Sequence, residues 1–229
     1  MLYTVNSRFL KRISHKTVFW KIPTEKKELF LTFDDGPFPG TTEMILEQLN
    51  KFNAKATFFC VGDNIRKHPQ LFEEIKNQGH SVGNHTFHHL NGWKHSLKSY
   101  LNNVKMCETL TGTKLFRPPY GKLTPLQRFK LQNHYYILLW SVLPGDFDPK
   151  LSNEKCLERV LKHSHFPGSI VVFHDNLKAF EKLQYTLPKY LEYFSKLGYT
   201  FSSITPELCQ VHLEARRSKF VHQISFGMI

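Results

Sequence analysis

Short apolar runs alternate with amphipathic stretches along most of this chain. Seven runs read as strands: Glu28 to Phe33, Ala56 to Val61, Ser81 to His85, Leu115 to Arg117, Tyr135 to Val142, Ser169 to His174 and Tyr199 to Ser203. Most are rich in Val, Ile, Phe or Tyr, as strands buried on both faces tend to be. Helical spacing fills the intervals. Ile45, Leu49 and Phe52 recur behind Thr41 and Thr42, which are good caps. Pro69 starts a helix that turns Leu71, Phe72 and Ile75 inward, with Gly79 just past its end. Ser96 precedes Leu97, Leu101, Val104 and Cys107, and Gly112 is the stop. Asn153 precedes Leu157, Val160 and Leu161. A last helix holds Leu187, Leu191 and Phe194 and ends at Gly198, with Pro188 fitting only near its first turn. Strands alternating with helices imply βαβ units and a mainly parallel α/β sheet, either open or closed into an irregular barrel. The first twenty or so residues and the segment from Thr205 lie outside the pattern, yet Val211, Leu213, Phe220, Val221 and Ile224 make the tail one that packs on the body.

At 229 residues, 41% of them hydrophobic and 20 of them phenylalanine, the chain has material for one core and is not a disordered protein. Its formal charge of +12 favours anionic surroundings, but the Lys and Arg residues are scattered. No basic stripe interleaved with aromatics marks a nucleic-acid groove, so no nucleic-acid partner is expected. The cysteines Cys60, Cys107, Cys156 and Cys209 are far apart and form no CxxC pair, which argues against a zinc finger or redox dithiol. Cys60, inside the run Ala56 to Val61, reads as a buried thiol. The N-terminus is basic but has no apolar signal core, and no stretch is long enough to span a bilayer. A cytoplasmic location is the expectation.

The unusual polar residues fall at the ends of the predicted strands. Asp34 and Asp35 follow the first, where Gly36-Pro37 forces a turn that lets neighbouring carboxylates reach one cavity. His85 and His89 follow the third. Four apart, they would share one side of a helical turn, a spacing that lets two imidazoles bind one ion. With Asp35 as the third donor, such a set leaves an open position for water. Arg117-Pro118-Pro119-Tyr120 follows the fourth strand, Asp146 the fifth, and His174-Asp175 ends the sixth. Parallel strands gather their carboxyl ends on one face, where active sites sit. Arg117 is read as holding a nearby carboxylate, and His174 as a proton-transferring imidazole oriented by Asp146 or Asp175.

These residues resemble the motifs of the polysaccharide deacetylases of carbohydrate esterase family 4, which share a domain similar to the nodulation chitooligosaccharide deacetylase. Thr32-Phe33-Asp34-Asp35-Gly36-Pro37 looks like the first motif, His85-Thr86-Phe87-His88-His89 like the second, and Arg117-Pro118-Pro119-Tyr120 like the third. The fourth and fifth depart from the pattern. Leu143-Pro144-Gly145-Asp146-Phe147 keeps one acid but lacks the other and the Trp, and Val172-Phe173-His174 replaces the family's Leu by Val. These changes alter the wall around the acyl group.

The resemblance implies an N-terminal extension over 1–27, a deacetylase domain over 28–204 and a C-terminal extension over 205–229. It further implies a single-domain distorted (β/α) barrel of about seven strands. The implied activity is metal-dependent removal of N-acetyl groups from an N-acetylhexosamine glycan or oligosaccharide. In that scheme Asp35, His85 and His89 bind a divalent ion, zinc first and cobalt, nickel or ferrous iron also suited. Asp34 is the base, paired with Arg117; the Tyr120 backbone N–H holds the oxyanion; His174 with Asp146 is the acid. Three other classes compete. A carbohydrate-binding pseudoenzyme would keep the fold without turnover, a metal nuclease would bind nucleic acid in a salt-sensitive way, and a ferrous oxygenase shares the ligand types but usually has a β-rich scaffold.

Overall fold

The strand Glu28–Asp34 (β2) is buried from Leu29 onward, because it lies between neighbours on both sides. In the computed structural model, which describes residues 17–215, the other strands are Val18–Phe19 (β1), Ala56–Cys60 (β3), Ser81–Asn84 (β4), Leu115–Phe116 (β5), Tyr136–Leu138 (β6), Ile170–His174 (β7) and Thr200–Phe201 (β8). They are hydrogen-bonded in the order β1-β6-β5-β4-β3-β2-β7, with β8 on the first residues of β2, and every strand pair is parallel. The two ends of this sheet meet. Val142, beyond β6, bridges Val171 of β7, and Lys21, beyond β1, bridges Ser169. The sheet thus curls into the irregular barrel rather than staying open.

Register decides which side chains face inward. Phe30, Thr32 and Asp34 pair with Ile170, Val172 and His174 of β7, and Asp34 also pairs with Phe59 of β3. Paired residues of adjacent strands point to the same face, so these side chains share the barrel interior. The alternate residues Leu31 and Phe33 point outward. They join a core with Phe58, Phe173, Ile45, Leu49, Leu187 and Phe194 beneath the surrounding helices. The inner cluster of Phe19, Phe30, Phe59, Leu138 and Ile170 is completed by Ile204 and Cys209 from the C-terminal segment.

The helices are Thr41–Lys51 (α1), Gly62–Lys67 (α2), Pro69–Asn77 (α3), Leu97–Thr111 (α4), Pro125–Leu131 (α5), Asn153–His163 (α6), Phe180–Lys196 (α7) and 206–215 (α8). Several details differ from the sequence expectation. Gly40, not Thr41 or Thr42, precedes α1, and its N–H is taken by Glu43 Oε2 at 2.6 Å. The Thr42 hydroxyl instead accepts from Phe38 N at 2.7 Å and donates to Asp175 Oδ2 at 2.6 Å. Ser152, one residue earlier than expected, caps α6. Pro188 lies well inside α7 rather than near its start. Packing of Leu183, Leu187, Tyr190, Leu191 and Phe194, all buried, offsets the roughly 3 kcal/mol that an interior proline costs. Residues 18–22, read as part of an extension, supply β1 and the buried Ile22. In the tail Leu213 is buried but Val211 is exposed, and Phe220, Val221 and Ile224 lie outside the described residues. All four cysteines are buried thiols, and burial pushes that of Cys60 well up. Among the described residues no helix is long and apolar enough to cross a membrane.

Candidate metal and catalytic centre

Asp34 closes β2 with its side chain inward, whereas Asp35 has left the strand with φ +83°. This left-handed step brings a second, adjacent carboxylate to the cleft that a continuing strand would have turned away. Asn64 Nδ2 donates to the Asp35 carbonyl at 2.8 Å, and Asp35 N donates to Phe59 O at 3.2 Å, so neighbours on both sides hold the step.

Arg117, immediately after β5, is completely buried. Such a charge is tolerated only when paired and hydrogen-bonded. Nη1 donates to Asp34 Oδ1 and to Thr32 Oγ1, both at 2.7 Å. Nε reaches Leu138 O at 3.0 Å, Nη2 reaches Leu139 O at 3.1 Å, and the guanidinium stacks 4.1 Å over the Phe59 ring. Burial draws the guanidinium's pKa down and Asp34 opposes it. Asp34 Oδ2 remains turned toward the histidines, 4.0 Å from His85 Nε2.

The His85–His89 segment is not the helical turn its spacing suggests. It is a loop beyond β4 in which Thr86 (φ +63°) and His89 (φ +54°) are left-handed. Side chains pin it: Asn84 Oδ1 accepts from Thr86 N at 2.9 Å, and Asn103 Oδ1 accepts from Phe87 N and His88 N at 2.8 and 2.9 Å. His85 Nδ1 lies 2.8 Å from the Arg117 carbonyl, which can only accept, so Nδ1 carries the proton. Burial holds the His85 imidazole down at about 4, with Asp34 opposing. Its Nε2 therefore presents a lone pair to the cleft at neutral pH. Burial alone would raise the Asp35 carboxyl, but the contact with His89 and the charges of His174, His85 and His89 hold it well below the usual range.

The donor atoms of Asp35, His85 and His89 all lie within 4.8 Å of one another. Asp35 Oδ1 is 3.1 Å from His89 Nε2 and 3.6 Å from His85 Nε2. It is nonetheless buried without a well-aligned hydrogen bond. A carboxylate oxygen facing an imidazole lone pair repels it unless a cation lies between, so this mixed N/O set fits a divalent ion.

Across the cleft, Asp146 is completely buried and accepts twice from His174: from its backbone N at 2.7 Å and from Nδ1 at 2.9 Å. Burial would depress this imidazole. Asp146, helped by Asp35 and Asp34, instead raises it to about 9. Phe147 packs edge-on to the ring at 4.8 Å. Asp175, the other orienting carboxylate considered from sequence, turns away. Its N–H donates to Asp34 O at 2.7 Å, its side chain meets Thr42, and burial pushes its carboxyl well up. Tyr120 sits in a kinked turn at φ +60°, mostly exposed, with its ring 4.7 Å from that of His89. Beside these groups lies a cleft of about 340 Å³ lined by Asp35, Val61, Asp63, Asn64, His88 and His89.

The eight residues picked from sequence thus lie at one end of the barrel. Four others to which sequence reasoning gave no role hold them there: Thr32 and Phe59 against Arg117, and Asn64 and Asn176 against Asp35. Strand register could have signalled Thr32, which lies two residues from Asp34 on the same face. No pattern flags the two asparagines.

Comparison with known proteins bears on this arrangement. A family model described as polysaccharide deacetylase matches residues 21–136. A peptidoglycan-N-acetylglucosamine deacetylase of Bacillus cereus is 31% identical over 210 residues, covering 85% of this chain and 94% of that protein. Another Bacillus cereus protein of the same name is 37% identical over 159 residues, 66% of this chain but 57% of that protein, so the chain spans little more than half of it. Among solved structures, a peptidoglycan N-acetylglucosamine deacetylase in complex with a naphthalenyl N-oxidanyl-benzamide superposes with a TM-score of 0.76 at 31% identity, covering 85% of this chain and 93% of that one.

Proposed function

This chain belongs to the polysaccharide deacetylase family, and on that premise we propose that it is a metal-dependent hydrolase that removes N-acetyl groups from an N-acetylhexosamine-containing glycan, releasing acetate. The observation that carries the reading is the meeting, at one barrel end, of the Asp35–His85–His89 donors, the Asp34–Arg117 pair and the Asp146–His174 pair. The names of the Bacillus cereus relatives make peptidoglycan-type N-acetylglucosamine the first substrate to try.

Asp35, His85 and His89 would hold the ion, zinc foremost, with cobalt, nickel or ferrous iron suited to the same donors. Bound there, such an ion lowers the pKa of water toward about 7 and polarises an amide carbonyl. Asp34 has Oδ1 committed to Arg117, which leaves Oδ2 to accept a proton from the attacking water. The water oxygen bonds to the acetyl carbon, and the backbone N–H of Tyr120 is assigned to the developing oxyanion. His174 has Nδ1 engaged by Asp146, so its Nε2 proton goes to the amide nitrogen as the C–N bond breaks. Acetate and a free amine result. Without that proton the nitrogen would leave as an amide anion, a very poor leaving group.

The test is acetate release from N-acetylated chitooligosaccharides and peptidoglycan fragments. The expected result is release that a chelator abolishes and added zinc restores. Binding of these sugars with no acetate at any metal loading would convert the reading to a carbohydrate-binding pseudoenzyme.

A further inference from the structure

Asp35 is gripped at two atoms other than the Oδ1 that approaches the histidines. Asn176 Nδ2 donates to Asp35 Oδ2 at 2.6 Å, and Asn64 Nδ2 donates to the Asp35 backbone carbonyl at 2.8 Å. The orientation of the Asn176 amide is fixed independently. Its Oδ1 accepts from Ala179 N at 3.1 Å at the entry to α7, so the NH₂ group must be the end that faces the carboxylate. The Asn64 amide must present its NH₂ to the Asp35 carbonyl, which can only accept, and the Asn64 backbone is held at α2, where its N donates to Val61 O at 3.0 Å and its carbonyl accepts from His68 N at 2.9 Å. With Oδ2 occupied and the left-handed backbone held, Oδ1 alone is directed at the two imidazole nitrogens.

We infer that Asn176 and Asn64 are positioning residues that make Asp35 a one-oxygen ligand, Asn176 by occupying Oδ2 and Asn64 by locking the backbone step that carries it. Neither touches the donor atom itself, so both act through Asp35. A carboxylate free to swing would offer both oxygens and take up the position that water needs. Hydrogen-bonded partners behind a ligand typically govern metal affinity 10- to 100-fold. Asn176 also follows His174 by two residues on the same β7 exit. The end of β7 therefore carries the proton donor, and the loop that leaves it orients the ligand carboxylate.

This inference rests on the metal-binding reading above, and its test separates the two. Asn176→Asp keeps an acceptor for Ala179 N, and so keeps the entry to α7, but replaces the donor facing Asp35 Oδ2 with a second carboxylate. Asn176→Ala removes both contacts. Zinc affinity is measured for the purified full chain by competition with a chromophoric chelator, and circular dichroism establishes that each variant is folded. The expected result is a loss of zinc affinity of about 10- to 100-fold in Asn176→Asp as well as Asn176→Ala. Wild-type affinity in a folded Asn176→Asp would overturn the inference, leave Asn176 a helix-entry residue only, and leave the metal site standing. Absence of zinc binding by the unmutated chain would remove the metal reading and this inference together.

Discussion

His174 shows how a single side chain is set by its surroundings. Asp146 raises its imidazole from 6.5 to about 9 against the opposing pull of burial. A pKa raised on folding gives stability that is fully present below the unfolded value and lost as pH rises through the folded one. In denaturant unfolding of the metal-free protein, the stability advantage of wild type over His174→Gln is therefore widest below about 6.5 and closes as pH passes about 9. A gap that does not change across this range would contradict the Asp146 pairing. A cation beside Asp35 offsets part of the negative charge that lifts this imidazole, so metal loading moves its titration to lower pH in an NMR experiment. At this scale the chemistry-bearing residues were legible in sequence because carboxylates, imidazoles and a guanidinium all ended apolar runs. The geometry that joins them was less so. The spacing of His85 and His89 suggested a helical turn, whereas left-handed residues at Thr86 and His89 do the work. Asn64 and Asn176 were illegible because a lone asparagine in a loop has no periodicity and matches no motif.

Elements meet the site through the junction between β2 and α1. Thr42 of α1 links Phe38 N to Asp175 Oδ2, while Asp175 N holds the Asp34 carbonyl, so the acidic doublet is tied to both α1 and β7. Gly36 packs directly against the Asp175 carboxyl, and a Cβ there would overlap Oδ2. Gly36→Ala is expected to cost about 1–3 kcal/mol by overpacking and to lower zinc affinity along with stability. Unchanged urea unfolding and zinc affinity would show that this junction yields freely. Seven of the strands were readable, β2, β3 and β7 most plainly because a parallel strand covered on both faces is a nearly unbroken apolar run. β1 was not, since Val18 and Phe19 lie ahead of the first strand–helix alternation and are recruited by pairing with Ile137 and Leu138. Pro188 misled the reading of α7 because local propensity was overridden by the buried face of that helix.

For the whole molecule, closure is what turns a sequence of βα units into a site. Alternation alone left an open sheet or a barrel equally available, and the deciding contacts are single bridges at Val142–Val171 and Lys21–Ser169 that no local pattern announces. Closure sets Asp146 beside His174 and the Arg117 guanidinium beneath Asp34, joining residues distant in sequence. The net charge of +12 adds a general attraction for anionic polymers without choosing among them. The central claim is that Asp35, His85 and His89 share one cation while Asp34 stands beside it as the base. A zinc titration of the wild-type chain, His85→Ala and Asp34→Asn, each followed by acetate release, tests it most directly. The account predicts one zinc per wild-type chain, loss of both zinc and turnover in His85→Ala, and retained zinc with lost turnover in Asp34→Asn. Unimpaired zinc binding by His85→Ala, or full turnover by Asp34→Asn, would contradict it.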